Sequence, residues 1–179
     1  MAYIYPGGLT AGSFDSGQTN EGWSPESYIY GSRITVPSSG VVSSLGLFGF
    51  VRDAVSTAFK LGLYTAGGSL VAQSTVGAIT SATATWYDTG AISASVTAGD
   101  YFVLVSASTN KGSYRYNSSG AGSYATEAYA TAMQATESIT AEGDAGLLYG
   151  VRLDFTAGGG AASRVPTNFM RQLMSLLQM

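Results

Sequence analysis

Histidine and cysteine are both absent from this chain of 179 residues, and charged residues make up only 11% of it. The absence of histidine excludes serine–histidine and cysteine–histidine catalysis and the usual zinc sites. The absence of cysteine excludes disulfides and leaves the redox compartment open. The eight lysines and arginines are scattered, whereas binding to nucleic acid needs a cluster of basic residues that neutralises phosphates. We therefore expect no nucleic-acid partner.

Carboxylates are also few, with eleven aspartates and glutamates in the chain. A glycosidase needs two of them across a cleft, and no spacing here predicts such a pair. A hydrolase would depend on the acids of a single stretch, which are Glu127, Glu137, Glu142 and Asp144. The candidate oxygen ligands for calcium are Asp15, Asp53, Asp100, Glu142 and Asp144. None of these lies in a typical calcium loop, so we predict no catalytic residue, no metal, no cofactor and no enzymatic activity.

Long apolar runs and targeting signals are absent as well. No apolar segment is long enough to cross a bilayer. Residues 1–17 have no basic region followed by an apolar core, so they do not resemble a secretory signal peptide. The sequence therefore predicts synthesis in the cytoplasm without a cleaved leader, and no membrane span.

What the chain does contain is a series of strand patterns, of which residues 95–108 are the clearest. Residues 97–100 form a turn signal, and 101–107 is a run of aromatic and β-branched residues. Both alternating faces of this run are apolar, which indicates a central strand that is covered on each side. Seven or eight such strands with turns between them predict an all-β fold, an antiparallel β-sandwich of the jelly-roll type.

The composition changes along the chain in a way that predicts several parts. These are an N-terminal arm (1–27), a β-sandwich domain (28–156) with a long loop (118–146), a glycine-rich flexible linker (157–166) and a short C-terminal amphipathic helix (167–179). Phe14 and Trp23 are large apolar residues in the polar arm. They either fix the arm to the sandwich or reach a neighbouring subunit.

The C-terminal helix has an apolar face at helical spacing. This face consists of Phe169, Met170, Leu173, Met174, Leu176 and Leu177. An isolated helix of about 13 residues is marginal in water, so this face must be buried. It could fold back on its own sandwich, join copies of itself in a bundle, or bind a groove on another protein. Binding to a membrane surface is less favoured, because the polar face lacks the lysines and arginines that such binding usually needs. Because the linker is flexible, we favour an intermolecular contact and predict these six residues as partner-binding.

Tyrosine is the other notable residue, with twelve in the chain. Four of them are concentrated in and after a short polar strand: Tyr114, Tyr116, Tyr124 and Tyr129. A tyrosine combines a rigid apolar ring with one hydroxyl, which suits recognition of proteins or sugars. These four are the predicted ligand-binding residues, with partial burial at strand ends as the alternative.

The order of these patterns resembles a known group of proteins. The hairpin FKLGLYTAGGSLVAQS, the segment WYDTG, the strand TAGDYFVLVSAS and the closing LYGVRLDFT resemble β-sandwich modules of bacteriophage virions, over residues 28–156. Such modules serve as head decorations, fibres, spikes and tail-associated proteins, and related sandwiches bind carbohydrate. The resemblance implies a non-enzymatic virion protein, often trimeric, that binds other virion proteins and copies of itself. The alternative is a glycan-binding module for surface attachment.

Overall fold

Two antiparallel β-sheets pack face to face in the computed structural model, which describes residues 2–15, 18–22, 28–51, 56–108, 112–117, 122–126, 132–141 and 148–158. This architecture confirms the predicted all-β sandwich. The predicted C-terminal helix, 167–179, and the linker after Gly158 lie outside the described residues.

The first sheet has eight strands and is built on one long strand. Its members are β1 (Ala2–Ile4), β2 (Gln18–Gly22), β4 (Gly40–Val51), β8 (Thr85–Asp88), β9 (Ala94–Val96), β11 (Gly112–Asn117), β14 (Leu148–Tyr149) and β15 (Val151–Ala157). One edge of β4 pairs with β15, and the other pairs with β8 and β9. The predicted arm belongs to this sheet, because β1 pairs with β15. A 3-10 turn (Pro6–Gly8) and the short helix α1 (Gly12–Asp15) follow β1.

The second sheet has seven strands. Its members are β3 (Ile29–Val36), β5 (Thr57–Thr65), β6 (Leu70–Gln73), β7 (Gly77–Ile79), β10 (Gly99–Ala107), β12 (Gly122–Ala125) and β13 (Thr140–Ala141). The predicted hairpin joins β5 to β6, and its turn includes Gly68 at φ +82°, a conformation that glycine adopts without strain. The central strand β10 pairs with β3 on one side and with β5 on the other.

The strand β10 is covered on both faces, as its sequence predicts. Val103 and Val105 point into the main core between the sheets. Leu104 points the other way and is fully buried in a second apolar cluster with Tyr64 and Met133. Since Met133 comes from the segment 132–141, this segment covers the outer face of the second sheet.

The long loop predicted at 118–146 needs correction, because two strands lie within it. The strand β12 adds to the edge of β3, and β13 pairs with β12. The sequence of β12, Gly-Ser-Tyr-Ala, has little intrinsic strand preference. It is a strand because the edge of β3 offers hydrogen-bonding groups, a tertiary effect that no local pattern reveals.

Candidate binding surface and the arginine cluster

The four predicted tyrosines do not all appear in one place. Tyr124 lies on β12 opposite Tyr30 of β3. The backbone of Tyr116 pairs with Tyr149, and that of Tyr114 pairs with Gly49, but the side chains of both tyrosines are outside the described part of the chain. Tyr129 is outside it altogether. Of the predicted set, Tyr124 is therefore the one whose surroundings can be described.

Tyr124 belongs to a tyrosine cluster that also contains Tyr28, Tyr30 and Tyr149. The ring of Tyr28 lies 5.7 Å from that of Tyr124, nearly perpendicular to it, and 6.0 Å from that of Tyr30. Tyr30 in turn lies 6.4 Å from Tyr124 and 5.8 Å from Tyr149, measured between ring centroids. These distances are typical of aromatic pairs that attract one another. The exposed fraction rises from 2% at Tyr149 to 38% at Tyr28, so the cluster extends from the core to the surface.

A buried hydrogen-bond bridge between the sheets positions this cluster. The backbone N–H of Tyr149 donates to Oγ of Ser32 at 2.8 Å, and this hydroxyl donates to the carbonyl oxygen of Tyr149 at 3.3 Å. Ser32 follows Tyr30 on the same face of β3 and is fully buried. Since the bridge joins β3 of the second sheet to β14 of the first, it holds the rings of Tyr30 and Tyr149 together across the sandwich.

The outer pair of the cluster can interact with a ligand. Within the described part of the chain, the hydroxyls of Tyr28 and Tyr124 form no hydrogen bond. Two rings close to a right angle offer one face and one edge, and each carries a hydroxyl that can donate or accept. Tyr28 and Tyr30 were not among the predicted ligand-binding residues, although their spacing of two residues predicts that both lie on the same face of a strand.

A second group of aromatic residues surrounds an arginine on the outer face of the first sheet. The alternation of β15 predicts that Arg152 faces water, but its side chain is only 9% exposed. Its guanidinium lies 3.9 Å from the ring centroid of Tyr3 and 4.4 Å from that of Trp86. It donates three hydrogen bonds to Asp88. Nη2 donates to Oδ1 at 2.8 Å and to Oδ2 at 2.6 Å, and Nε donates to Oδ1 at 3.1 Å. We refer to Arg152, Asp88, Tyr3, Tyr5 and Trp86 as the arginine cluster.

The electrostatics of the arginine cluster keep Arg152 charged. Burial, the largest single influence, lowers the pKa of its guanidinium, but the hydrogen bonds and charge of Asp88, together with a hydrogen bond to Tyr5, raise that pKa above its usual value. Gly46 permits this arrangement, because a Cβ there would lie 2.7 Å from Oδ1 of Asp88 and 2.8 Å from Cγ of Arg152. The cluster is therefore an ion pair enclosed by aromatic rings.

The arginine cluster attaches the N-terminal arm to the sandwich. Tyr3 and Tyr5 come from the arm, while Trp86 comes from β8. Phe14, also from the arm, is fully buried and lies 6.0 Å from Trp86, ring centroid to ring centroid. This agrees with the interpretation that Phe14 fixes the arm to the sandwich, whereas Trp23 lies outside the described residues. Packing and charge pairing account for most of this arrangement, but the buried Nε1–H of Trp86 has no hydrogen-bond partner among the residues that the structure describes.

Of the acidic candidates, two have described side chains, Asp100 and Glu137. Asp100 accepts a hydrogen bond from Thr35 at 2.6 Å and pairs with Arg33 at 3.6 Å on the surface. Glu137 contributes its backbone to the turn at Gly68. The remaining candidates fall outside the described side chains: Asp15, Asp53, Glu127, Glu142 and Asp144. Among the residues that the structure describes, no three acidic side chains form a group that could hold a metal ion.

The predicted partner-binding residues lie beyond the described part of the chain. These are Phe169, Met170, Leu173, Met174, Leu176 and Leu177. What the structure does describe is Gly158, the last described residue before them. The N–H of Gly158 donates to the carbonyl oxygen of Ser39 at 2.9 Å, beside the turn between β3 and β4. In the described residues, no helix has the length and apolar character needed to cross a membrane.

Comparison of the chain with protein-family models, curated proteins and solved structures gives no match. The resemblance to virion sandwich modules therefore stays a prediction.

Proposed function

We propose that this chain is a non-enzymatic structural component of a phage-like particle, such as a capsid decoration, a fibre or a tail-associated protein. In this proposal it is made in the host cytoplasm and attaches or oligomerises through its terminal segments. The observation that carries the proposal is the polarity of the sandwich, whose two ends differ in what they present.

The polarity follows from strand direction. The strand β15 runs from Val151 opposite Leu47 to Ala157 opposite Gly40. Gly158 therefore leaves the sandwich beside the turn that follows β3, and we name this side the linker end. The tyrosine cluster lies where β3 begins, at the tyrosine end. Since β3 has eight residues, seven steps of about 3.3 Å separate its first residue from its last, and the two ends are roughly 23 Å apart.

This polarity suits a module that is held at one end and displays the other. The six apolar residues of the predicted helix would bind a neighbouring chain, either another virion protein or copies of this one, for example in a trimer. Each such side chain contributes about 1.5–3 kcal/mol when it is fully buried. Attachment through a helix at the linker end would leave the tyrosine end facing outward.

Removal of residues 167–179 tests the proposal. We expect the truncated chain to keep its thermal unfolding midpoint and to be lost from isolated particles, as measured by its amount relative to the main shell protein. A double substitution, Leu173→Ser with Leu177→Ser, should have the same effect. Two leucines at about 1.5–3 kcal/mol each correspond to a loss of affinity of roughly a hundredfold or more.

The matched control is Gln172→Ala with Gln178→Ala, which changes the polar face of the same predicted helix. This variant should enter particles at normal occupancy. Full occupancy of the truncated chain would refute attachment through the helix. Size-exclusion chromatography with light scattering, applied to the full and truncated chains, separates self-association from binding to another protein.

A second candidate function is glycan binding for surface attachment. The observation that favours it is the tyrosine cluster, which brings two part-exposed rings with available hydroxyls to the end opposite the linker. This function is compatible with the first, since a displayed particle protein can also carry a receptor-binding surface.

A further inference from the structure

The tyrosine cluster has a part that the fold needs and a part that it does not. Tyr149 and Tyr30 are placed by the Ser32 bridge and pack against the main core. Tyr28 precedes β3, is 38% exposed, and contacts the aromatic rings of Tyr30 and Tyr124. An exposed ring held in one orientation by two neighbouring rings loses little conformational freedom when a ligand stacks on it.

The chemistry of the outer pair indicates what kind of ligand it can take. The described side chains of the cluster offer aromatic faces and hydroxyls and carry no charge. The charged side chains with described partners lie elsewhere, Arg33 and Asp100 toward the linker end, and Asp88 and Arg152 on the outer face of the first sheet. A ligand with apolar C–H faces and neutral hydroxyls matches this surface. Lys60 of β5 is a further described cation, but it is 1% exposed and alternates with the core-facing Phe59 and Leu61, so it lies on the outer face of the second sheet and offers an anionic ligand little exposed charge.

We infer that Tyr28 and Tyr124 form a binding site for an uncharged sugar. The sugar ring stacks on the face of Tyr28, and the hydroxyl of Tyr124 hydrogen-bonds at its edge, with Tyr30 supporting both rings from behind. The inference rests on the second candidate function and adds its residues and the chemical class of its ligand. It also places the sugar about one strand length from the linker, at the outward end of an attached molecule.

The test uses the full chain and a panel of neutral oligosaccharides of glucose, galactose, mannose and N-acetylglucosamine, with sialylated and uronic-acid glycans for comparison. Saturation-transfer NMR at sugar concentrations up to about 10 mM detects even a site with a dissociation constant of about 1 mM. We expect binding to at least one neutral oligosaccharide, and weaker or no binding to the acidic ones.

Variants then locate the site. We expect Tyr28→Ala and Tyr124→Ala each to weaken binding about tenfold or more, as is typical for a central aromatic contact. The substitution Tyr28→Phe retains the ring and should stay within about threefold of the original affinity. The control is Val76→Ala, because Val76 is an exposed residue between β6 and β7, on the far side of β5 from β3, and this variant should bind normally.

Three results would overturn the inference: no binding to any neutral sugar, binding only to acidic glycans, or equal affinity in the original chain, Tyr28→Ala and Tyr124→Ala. Circular dichroism of each variant shows whether it is folded, and Tyr28→Phe separates loss of the ring from loss of the fold. A chain that binds no sugar but still needs residues 167–179 to enter particles would lack the sugar site and keep the structural role. If the full chain binds sugar and its truncated form still enters particles, the sugar site is kept and attachment through residues 167–179 is refuted.

Discussion

Substitution of Arg152 by methionine should destabilise the protein far more than loss of an ordinary surface charge. Methionine retains an unbranched apolar chain that can still pack between Tyr3 and Trp86. It removes the charge, the hydrogen bonds to Asp88 and the attraction of the cation to both rings. The variant therefore isolates the electrostatic part of the arginine cluster from its packing.

The structure sets the size of the effect. Breaking a buried ion pair costs about 3–5 kcal/mol, whereas an exposed pair contributes about 0–1 kcal/mol. The Arg152 side chain is 9% exposed and that of Asp88 is 42% exposed, so water can partly solvate the carboxylate that remains. Loss of attraction to the rings adds about 0.5–2 kcal/mol. We expect Arg152→Met to lower the free energy of unfolding by about 2–4 kcal/mol, which corresponds to roughly 4–16 °C in the unfolding midpoint.

A double-mutant cycle measures the interaction itself. Chemical denaturation of Arg152→Met, Asp88→Asn and the double variant should give a coupling energy of about 1.5–3 kcal/mol. The matched control is the pair Arg33 and Asp100, whose side chains are 64% and 38% exposed and whose charged atoms lie 3.6 Å apart. Its coupling should be about 0–1 kcal/mol. Equal coupling in the two cycles would refute the reasoning that burial and ring contacts strengthen the Arg152 pair.

Hydrogen exchange gives a local reading of the same perturbation. Ile4 of the arm pairs with Leu153 of β15, beside the rings that enclose Arg152. Relative to the original chain, Arg152→Met should accelerate exchange of the amides of residues 2–4 more than exchange of the amides of β10. The reason is that the arm loses an attachment that the central strand does not use. A uniform change across both segments would mean that the cluster stabilises the whole sandwich and does not hold the arm in particular.

Two further substitutions test the fold. Gly68→Ala should lower the free energy of unfolding by about 1–3 kcal/mol, because Gly68 has φ +82° and a Cβ there would overlap the carbonyl oxygen of Glu137. The control is Gly67→Ala, where a Cβ would have no neighbour nearer than 3.8 Å, and thermal denaturation should show almost no change. Leu104→Ala should lower the free energy of unfolding by about 2–5 kcal/mol, because this side chain is fully buried under the segment 132–141. The control is Val76→Ala, at a position 55% exposed, which should change stability by less than about 0.5 kcal/mol. A small loss of stability in Leu104→Ala would contradict the conclusion that the segment 132–141 covers the outer face of the second sheet.

The sequence predicted well those features that depend on neighbouring residues. The strand 101–107, its two covered faces and the hairpin at 66–69 follow from alternation with a period of two and from the conformations that glycine permits. Two predictions were wrong. The sequence predicted a loop where β12 lies, and the alternation of β15 predicted an exposed Arg152, whose side chain is only 9% exposed. In both cases a partner distant in sequence supplies the interaction, an edge strand for β12 and an aromatic enclosure for Arg152.

The candidate site shows the same division. The richness in tyrosine near Tyr124 was visible in the sequence, and so was the same-face spacing of Tyr28 and Tyr30. That these residues meet was not visible, since Tyr124 joins Tyr30 only through pairing of β12 with β3. The four predicted positions therefore contained one member of the cluster whose side chain the structure describes, and three of its members came from elsewhere in the chain.

By itself the sequence determined the class of fold and the absence of histidine and cysteine chemistry, because composition and short-range periodicity specify these directly. The apolar face at residues 169–177 stays a prediction. The tertiary structure alone decided which tyrosines form a surface, that an enclosed ion pair holds the arm, and that Gly158 and the tyrosine cluster lie at opposite ends of β3. The reason is physical. Ser32 and Tyr149 are 117 residues apart, and Asp88 and Arg152 are 64 apart, so only the pairing of strands brings them within hydrogen-bonding distance.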